Sequence, residues 1–449
     1  MNRLTNVATT TIACAPGGRD EISSAARRVW MLPRLTDRWT LAVIDQGLVS
    51  GTRFVTTIIV GRAAGPAELG NYSIAFIAFM LWGCLQEALV TTPFAVHHHR
   101  LRRRSRAAYA GGSLVLHALV AAGAGLTMLA VSAWNWASGR DSAMARLTLV
   151  IAATVPFSLM WEFARRSLLA QLNVAAAARL DVTVAIVQIF GLLFLAATNR
   201  LNAASAMLVI GGGSLLVAVD WLYRTRRERI VRWDLVEKYW RRNWQLGRWL
   251  VAGQVVAALH GRIPSLMLAL LVSASATGVF AAYLNFALLT NPLILAVGNL
   301  LTPRAARAFT EEGIDAVARL VRNAALGMAS LIALFVGILA LWGDSIVAVA
   351  YGGKYVGHSG VLVLLGASTM AWAVNAAYSC GLAALRFPRG SFLAALAGMC
   401  VTVATMLFIV REWPVWGAAV GLFAGSATAA ALHVVMFIRR SGTLKPQKG

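Results

Sequence analysis

Runs of about twenty apolar residues recur along this whole chain with almost no charge inside them, and a run of that length crosses the hydrocarbon of a bilayer as a helix. A water-soluble helical bundle would interrupt such runs with polar residues at every third or fourth position, and most of them have none. With 59% hydrophobic and 13% charged residues over 449 positions, the chain reads as an all-α integral membrane protein. Twelve transmembrane helices are expected, at about 41–62, 69–96, 109–134, 144–169, 174–198, 202–222, 246–272, 277–302, 322–342, 359–384, 391–410 and 414–438.

A formal charge of +23 invites nucleic acid as a partner, but its distribution argues against one. Lys and Arg gather in alternate loops, leaving only Arg62, Arg140, Arg146, Arg200, Lys354 and Arg411 in the opposite set. That is the asymmetry of the positive-inside rule, and it puts both termini in the cytoplasm. A basic inner face also suits the anionic headgroups of membrane lipid. The expected organisation is a cytoplasmic tail 1–40, a six-helix half 41–222, a basic linker 223–245, a second six-helix half 246–438 and a cytoplasmic tail 439–449. In the first tail, Val29, Trp30 and Leu32 accompany Arg27, Arg28 and Arg34, so an interfacial helix is expected over Glu21–Leu35. In the linker, Trp233, Val236, Tyr239 and Trp240 recur at helical spacing among charges and predict an amphipathic helix.

Two spans carry an arginine near mid-depth, where insertion costs about 2.5–3.5 kcal/mol unless the side chain meets water or a partner. These are Arg53 in Leu41–Arg62 and Arg262 in Trp249–Val272, 209 residues apart. The echo extends further. Leu69-Gly70-Asn71-Tyr72 opens one span and Thr277-Gly278-Val279-Phe280 another, with Gly278 lying 208 residues after Gly70. Pro93 and Pro303, near the ends of the same two spans, are 210 apart. Six spans per half is an even number, so the halves are parallel pseudo-repeats around a central cavity.

The stretch Asp45–Phe76, DQGLVSGTRFVTTIIVGRAAGPAELGNYSIAF, resembles the first two spans of the bacterial polysaccharide-biosynthesis flippases. These belong to the multidrug, oligosaccharidyl-lipid and polysaccharide exporter superfamily. The specific part is Asp45-Gln46 with small residues, then Arg53, then Gly65-Pro66-Ala67-Glu68-Leu69-Gly70 ahead of Tyr72. The resemblance is sharp over some fifty residues and continues beyond them only as the span plan. It implies a flippase of the bacterial inner membrane that moves an undecaprenyl-diphosphate-linked oligosaccharide from the inner to the outer leaflet by alternating access. The cargo would be an O-antigen or exopolysaccharide repeat unit, with a polysaccharide polymerase or assembly proteins as partners. Neither enzyme chemistry nor a cofactor is expected, and a proton or Na⁺ gradient is the candidate driving force.

Guanidinium groups make planar, charge-assisted hydrogen bonds to phosphate, so Arg53 and Arg262 are the leading substrate-binding candidates, against an internal pair of Arg53 with Asp45 or Glu87. Gln46, Gln254, Asn285 and Asn291 can hydrogen-bond sugars, or only neighbouring helices. Asp45 and Glu87 are intramembrane carboxylates able to take up a coupling ion or to form salt bridges. Glu162 and Arg166 are spaced for a local pair on one helix. Pro93, Pro156, Pro264 and Pro292 fall where kinks are expected. No metal site is expected: His97–His99 cannot all point one way on a helix, and the four cysteines form no close pair. Nucleotide-binding loops and hydrolase motifs are missing as well. The competing readings are a multidrug or cation antiporter, a lipid-linked peptidoglycan-precursor flippase and a membrane glycosyltransferase; the last is disfavoured by short outer loops.

Overall fold

The computed structural model describes residues 38–98, 101–139 and 142–444, so the expected helix Glu21–Leu35 lies outside the described residues. Within them the chain is helices joined by short turns, without a strand. The first half holds α1 (Arg38–Ala64), α2 (Pro66–His98), α3 (Arg103–Ala137), α4 (Ser142–Ala170), α5 (Val174–Ala197) and α6 (Ala203–Thr225). The second holds α7 (Trp233–His260), α8 (Ile263–Leu271), α9 (Ala274–Glu311), α10 (Ile314–Tyr351), α11 (Ser359–Ala384), α12 (Pro388–Ile409) and α13 (Pro414–Leu444). Ten of these helices are long and apolar enough to cross a membrane, and α7 with α8 makes an eleventh span bent by 58°. Helix α1 is 27 residues long but less apolar, because Asp45 and Arg53 lie inside it. Counted with it, the helices fall at the twelve positions expected.

The irregularities lie where backbone hydrogen bonds are hardest to keep. Helix α2 loosens into a π turn at Glu87–Thr91, just ahead of Pro93. Helix α9 tightens into a 3₁₀ turn at Leu288–Thr290, just ahead of Pro292. Between α1 and α2 the chain reverses on Gly65, whose φ of 89° favours glycine, and Pro66 then starts α2 with its ring already at a helical φ.

The largest apolar core draws on both halves: Val60, Leu69 and Tyr72 from the first meet Leu268, Phe280 and Tyr351 from the second. A second cluster, running from Ile294 to Phe437, stays within the second half, whereas a third joins Tyr239 of α7 to Phe94, Tyr109 and Phe163 of the first. The shared core lies at the end of the bundle where α1 ends and α2 and α9 begin. There the two repeat glycines touch: a Cβ on Gly70 would overlap the Ala274 carbonyl, and one on Gly278 would overlap that of Pro66. Around this crossing Tyr355 Oη donates to the Gly61 carbonyl at 2.9 Å, and Arg62 Nη1 donates to that of Val349 at 2.5 Å. Tyr283 Oη donates to the Tyr355 carbonyl at 2.6 Å and steadies the loop that carries the tyrosine. This end is sealed.

Helix α7 ties the halves together differently. The linker residues Trp233–Gln245 belong to one helix that runs on to His260. On the first half, Asn243 Nδ2 donates to the Leu89 carbonyl at 3.2 Å, and Tyr109 Oη donates to Asn243 Oδ1 at 2.8 Å. Tyr239 packs edge-on against Tyr109, with ring centroids 5.1 Å apart. At its other end, His260 Nδ1 donates to the Ala395 carbonyl of α12 at 3.3 Å.

Candidate functional site

Arg53 points from the middle of α1 into a cavity of about 430 Å³ between the halves. Arg262 enters the same cavity from the second half, at the break between α7 and α8. The break has local causes. Gly261 lets the helix stop, Arg262 sits just outside α8, and Pro264 opens the new helix in its first turn. A straight helix would have carried Arg262 round with its neighbours; the 58° bend turns it inward.

The two guanidinium carbons sit 5.7 and 5.8 Å from the centroid of one aromatic ring, Phe76 of α2. A ring face attracts each cation by about 0.5–1 kcal/mol, which offsets part of their mutual repulsion. Among the described residues neither arginine forms an ion pair. Arg53 is solvent-exposed although it stands midway along a spanning helix, so its hydration comes through the cavity. The cavity runs from Tyr72 and Ala281, near the sealed end, to Gln46 and Leu295 towards the other.

Gln46, Asn285 and Asn291 line the same space. Asn285 Nδ2 donates to Tyr351 Oη at 2.9 Å and to the Phe54 carbonyl at 3.2 Å, which leaves its oxygen for another donor. Asn291 Oδ1 is buried without a partner. Gln254 is not among the lining residues; it sits on α7 before the bend, and its Oε1 is buried and unbonded.

The carboxylates lie elsewhere. Asp45 pairs with Arg165, not Arg53: Arg165 Nη2 meets Asp45 Oδ2 at 2.8 Å, and its Nε meets Asp181 Oδ2 at 2.5 Å. Trp161 Nε1 donates to the other Asp181 oxygen at 2.9 Å, while Asp45 Oδ1 has no partner. Glu87 pairs with Arg166 Nη1 at 2.8 Å, and the expected local pair Arg166–Glu162 closes at 2.6 Å. Arg165 and Arg166 of α4 thus each hold two carboxylates. Asp45 and Arg53 stay apart because eight residues of helix separate them by about 12 Å along the axis.

Arg165 and Asp181 were not singled out from sequence. A signal existed for both: Asp181 is the one acidic residue inside the apolar run 174–198, and Arg165 stands beside an arginine whose own partner was already evident. Among the described residues no group of three or more His, Cys, Asp or Glu could hold a metal ion.

No protein-family model matches the chain, and no curated protein matches it in sequence. Solved structures do match in three dimensions. A multidrug resistance MATE family transporter of the MOP superfamily in an inward-facing conformation superposes with a TM-score of 0.74 at 13% identity, covering 89% of this chain and 96% of that one. An outward-facing structure bearing the same description gives 0.65 at 14% identity, over 90% and 95%. The lipid II flippase MurJ, in an inward closed conformation, gives 0.69 at 13% identity, over 89% of each chain. At such identities the likeness is one of architecture, and the chain has the fold shared by these MOP-superfamily transporters and the lipid II flippase.

Proposed function

We propose that this protein is a flippase for an undecaprenyl-diphosphate-linked oligosaccharide, moving it from the inner to the outer leaflet of a bacterial inner membrane. The observation that carries the reading is the pair Arg53 and Arg262, one from each half, without ion-pair partners among the described residues and facing one cavity. Two guanidinium groups facing one cavity match the charge and planar bonding geometry of a diphosphate. Gln46, Asn285 and Asn291 offer amides for the first sugars. With the sealed end towards the periplasm, as the loop charges imply, the cavity faces the cytoplasmic leaflet where the substrate is made. Transport is then alternating access: the seal opens, the other end closes, and the headgroup crosses while the lipid tail remains between helices.

A proton or Na⁺ would act at the acidic groups of α4's neighbourhood. Asp45 and Asp181 share one guanidinium, so that cluster holds one more carboxylate than cation, and among the described residues Asp45 Oδ1 has no partner. The Glu87–Arg166–Glu162 cluster has the same ratio. A cation antiporter is the weaker reading, because its cavity should present carboxylates where this one presents arginines.

The test is leaflet translocation of a fluorescent undecaprenyl-diphosphate oligosaccharide in proteoliposomes. Arg53→Ala and Arg262→Ala, at matched folded protein, should each lower transport by about tenfold or more, the loss of one charge-assisted contact. Full activity in both variants would remove the arginines from the site. Wild-type protein that moved only organic cations would put the antiporter in the flippase's place, and rescue of cell-wall synthesis would point to a peptidoglycan precursor as cargo.

A further inference from the structure

A second cavity, of about 410 Å³, lies within the first half at the end opposite the seal. It is framed by the end of α2, the start of α3 and the ends of α4 and α6, with the turn that follows α6 closing one side. Arg106, Arg227 and Arg229 line it, and among the described residues Glu228 is the one carboxylate in its wall. Nothing in the central cavity requires these residues.

Arg229 is the best-placed of the three. Its guanidinium lies 3.8 Å from the centroid of the Trp221 ring, so its face is committed to the indole and its N–H edges point outward. Its contact to the Trp221 carbonyl, at 3.5 Å, is long for a hydrogen bond. Burial pushes this guanidinium down to about 10, against the smaller opposing pull of Glu228. Among the described residues neither Arg227 nor Arg229 makes an ion pair. Arg106 is anchored by its Nε on the Leu101 carbonyl at 2.7 Å. Trp221 is 6% exposed, and its Nε1–H, buried beside the same space, has no acceptor. A buried indole donor without a partner is unfavourable, and an anion seated here would accept from it.

We infer that this pocket is a second anion site, separate from the transport cavity, that takes a phosphate group at the level of the membrane surface. Three arginines against one carboxylate select a group with more than one negative oxygen, and fork-shaped guanidinium donors suit tetrahedral phosphate. The volume admits a phosphate with a glycerol-sized substituent. An anionic phospholipid headgroup and a soluble phosphate share this chemistry, and the pocket's place at the helix ends is where headgroups lie.

The experiment is thermal unfolding of the full chain in an uncharged maltoside detergent, titrated with dioctanoyl phosphatidylglycerol, with inorganic phosphate, or with dioctanoylglycerol as the phosphate-free control. The wild type should be stabilised by phosphatidylglycerol and not by dioctanoylglycerol, as expected when a ligand binds the folded state. In Arg229→Gln the half-saturating concentration should rise by about tenfold, and in the exposed Arg227→Gln by about threefold, whereas Arg262→Gln should leave it unchanged. Stabilisation by inorganic phosphate at equal concentration would assign a soluble ligand; stabilisation by the lipid alone would assign a headgroup. The site is overturned if neither phosphate compound stabilises the wild type, or if the shift is unaltered in both pocket variants. Should Arg229→Gln not fold, Arg227→Gln decides between these outcomes by itself.

Discussion

The two halves share a backbone plan but not an interior. The first holds four carboxylates and two arginines in two ion-pair clusters across α1, α2, α4 and α5, of which Asp45, Arg165 and Asp181 are buried. The second places one charge, Arg262, at its centre, and its other arginines lie towards helix ends. What has been kept between them is geometric: the glycine crossing, the arginine that reaches the cavity, and the turns ahead of proline in α2 and α9. The comparison separates two jobs. Matching features sit on the axis between the halves, where both must present compatible surfaces. Features peculiar to one half lie off that axis, where they can specialise.

The sharpest way to break this contrast is Arg165→Gln. It would strand Asp45 and Asp181 without their cation and should cost about 3–5 kcal/mol, read as a lowered unfolding temperature in detergent. Arg262→Gln should show no such loss, because no ion pair is broken. Equal stability of the two variants would erase the distinction between a structural and a cavity-facing arginine.

Next in size is Gly278→Ala, whose Cβ would press on the Pro66 carbonyl and should cost about 1–3 kcal/mol. Gly70→Ala should cost a similar amount, and the double variant less than the sum, since both relieve or strain one contact. Strict additivity in that cycle would mean that the halves do not bear on each other there. Tyr355→Phe removes one bond from the seal, worth about 0.5–1.5 kcal/mol, and should raise the fraction of molecules open at that end. Spin-label distances across Gly61 and the 353–355 turn would read it, and an unchanged distribution would take Tyr355 out of the seal. The smallest effect belongs to Phe76→Leu. With the shared ring gone, each arginine loses about 0.5–1 kcal/mol of orientation, and substrate affinity should fall by a few-fold without loss of stability. A stability loss instead would make Phe76 a core residue.

Much of this was legible in the sequence, for reasons that can be named. Helical spans declare themselves because a bilayer admits only helices and closed barrels, so a helix could be placed at each of the twelve positions, although α1 is less apolar than the rest. A repeat shows where both copies need the same residue: Gly70 and Gly278 admit no side chain, and an arginine at mid-depth is costly enough to stand out. Partners across helices were harder to see. Asp45 meets Arg165 at a separation of 120 residues, and nothing in the spacing of either chooses the other over Arg53. Gln254 shows the limit of reading by offset. It stands 209 residues after Asp45, yet the bend after His260 gives its helix a direction that α1 does not have. The second cavity was out of reach for a similar reason, since its walls come from four helices and a turn.

One feature of the fold also sets how far the halves can travel. Helix α7, 28 residues and so about 42 Å long, is fastened to the first half near Asn243 and to the second near His260. A stiff rod pinned at both ends behaves as a strut: it passes rotation from one body to the other and yields only at a joint. The joint beyond its far pin is Gly261–Arg262. Whatever angle the rod adopts is therefore delivered to the residue that faces the central cavity, one joint beyond the rod's end.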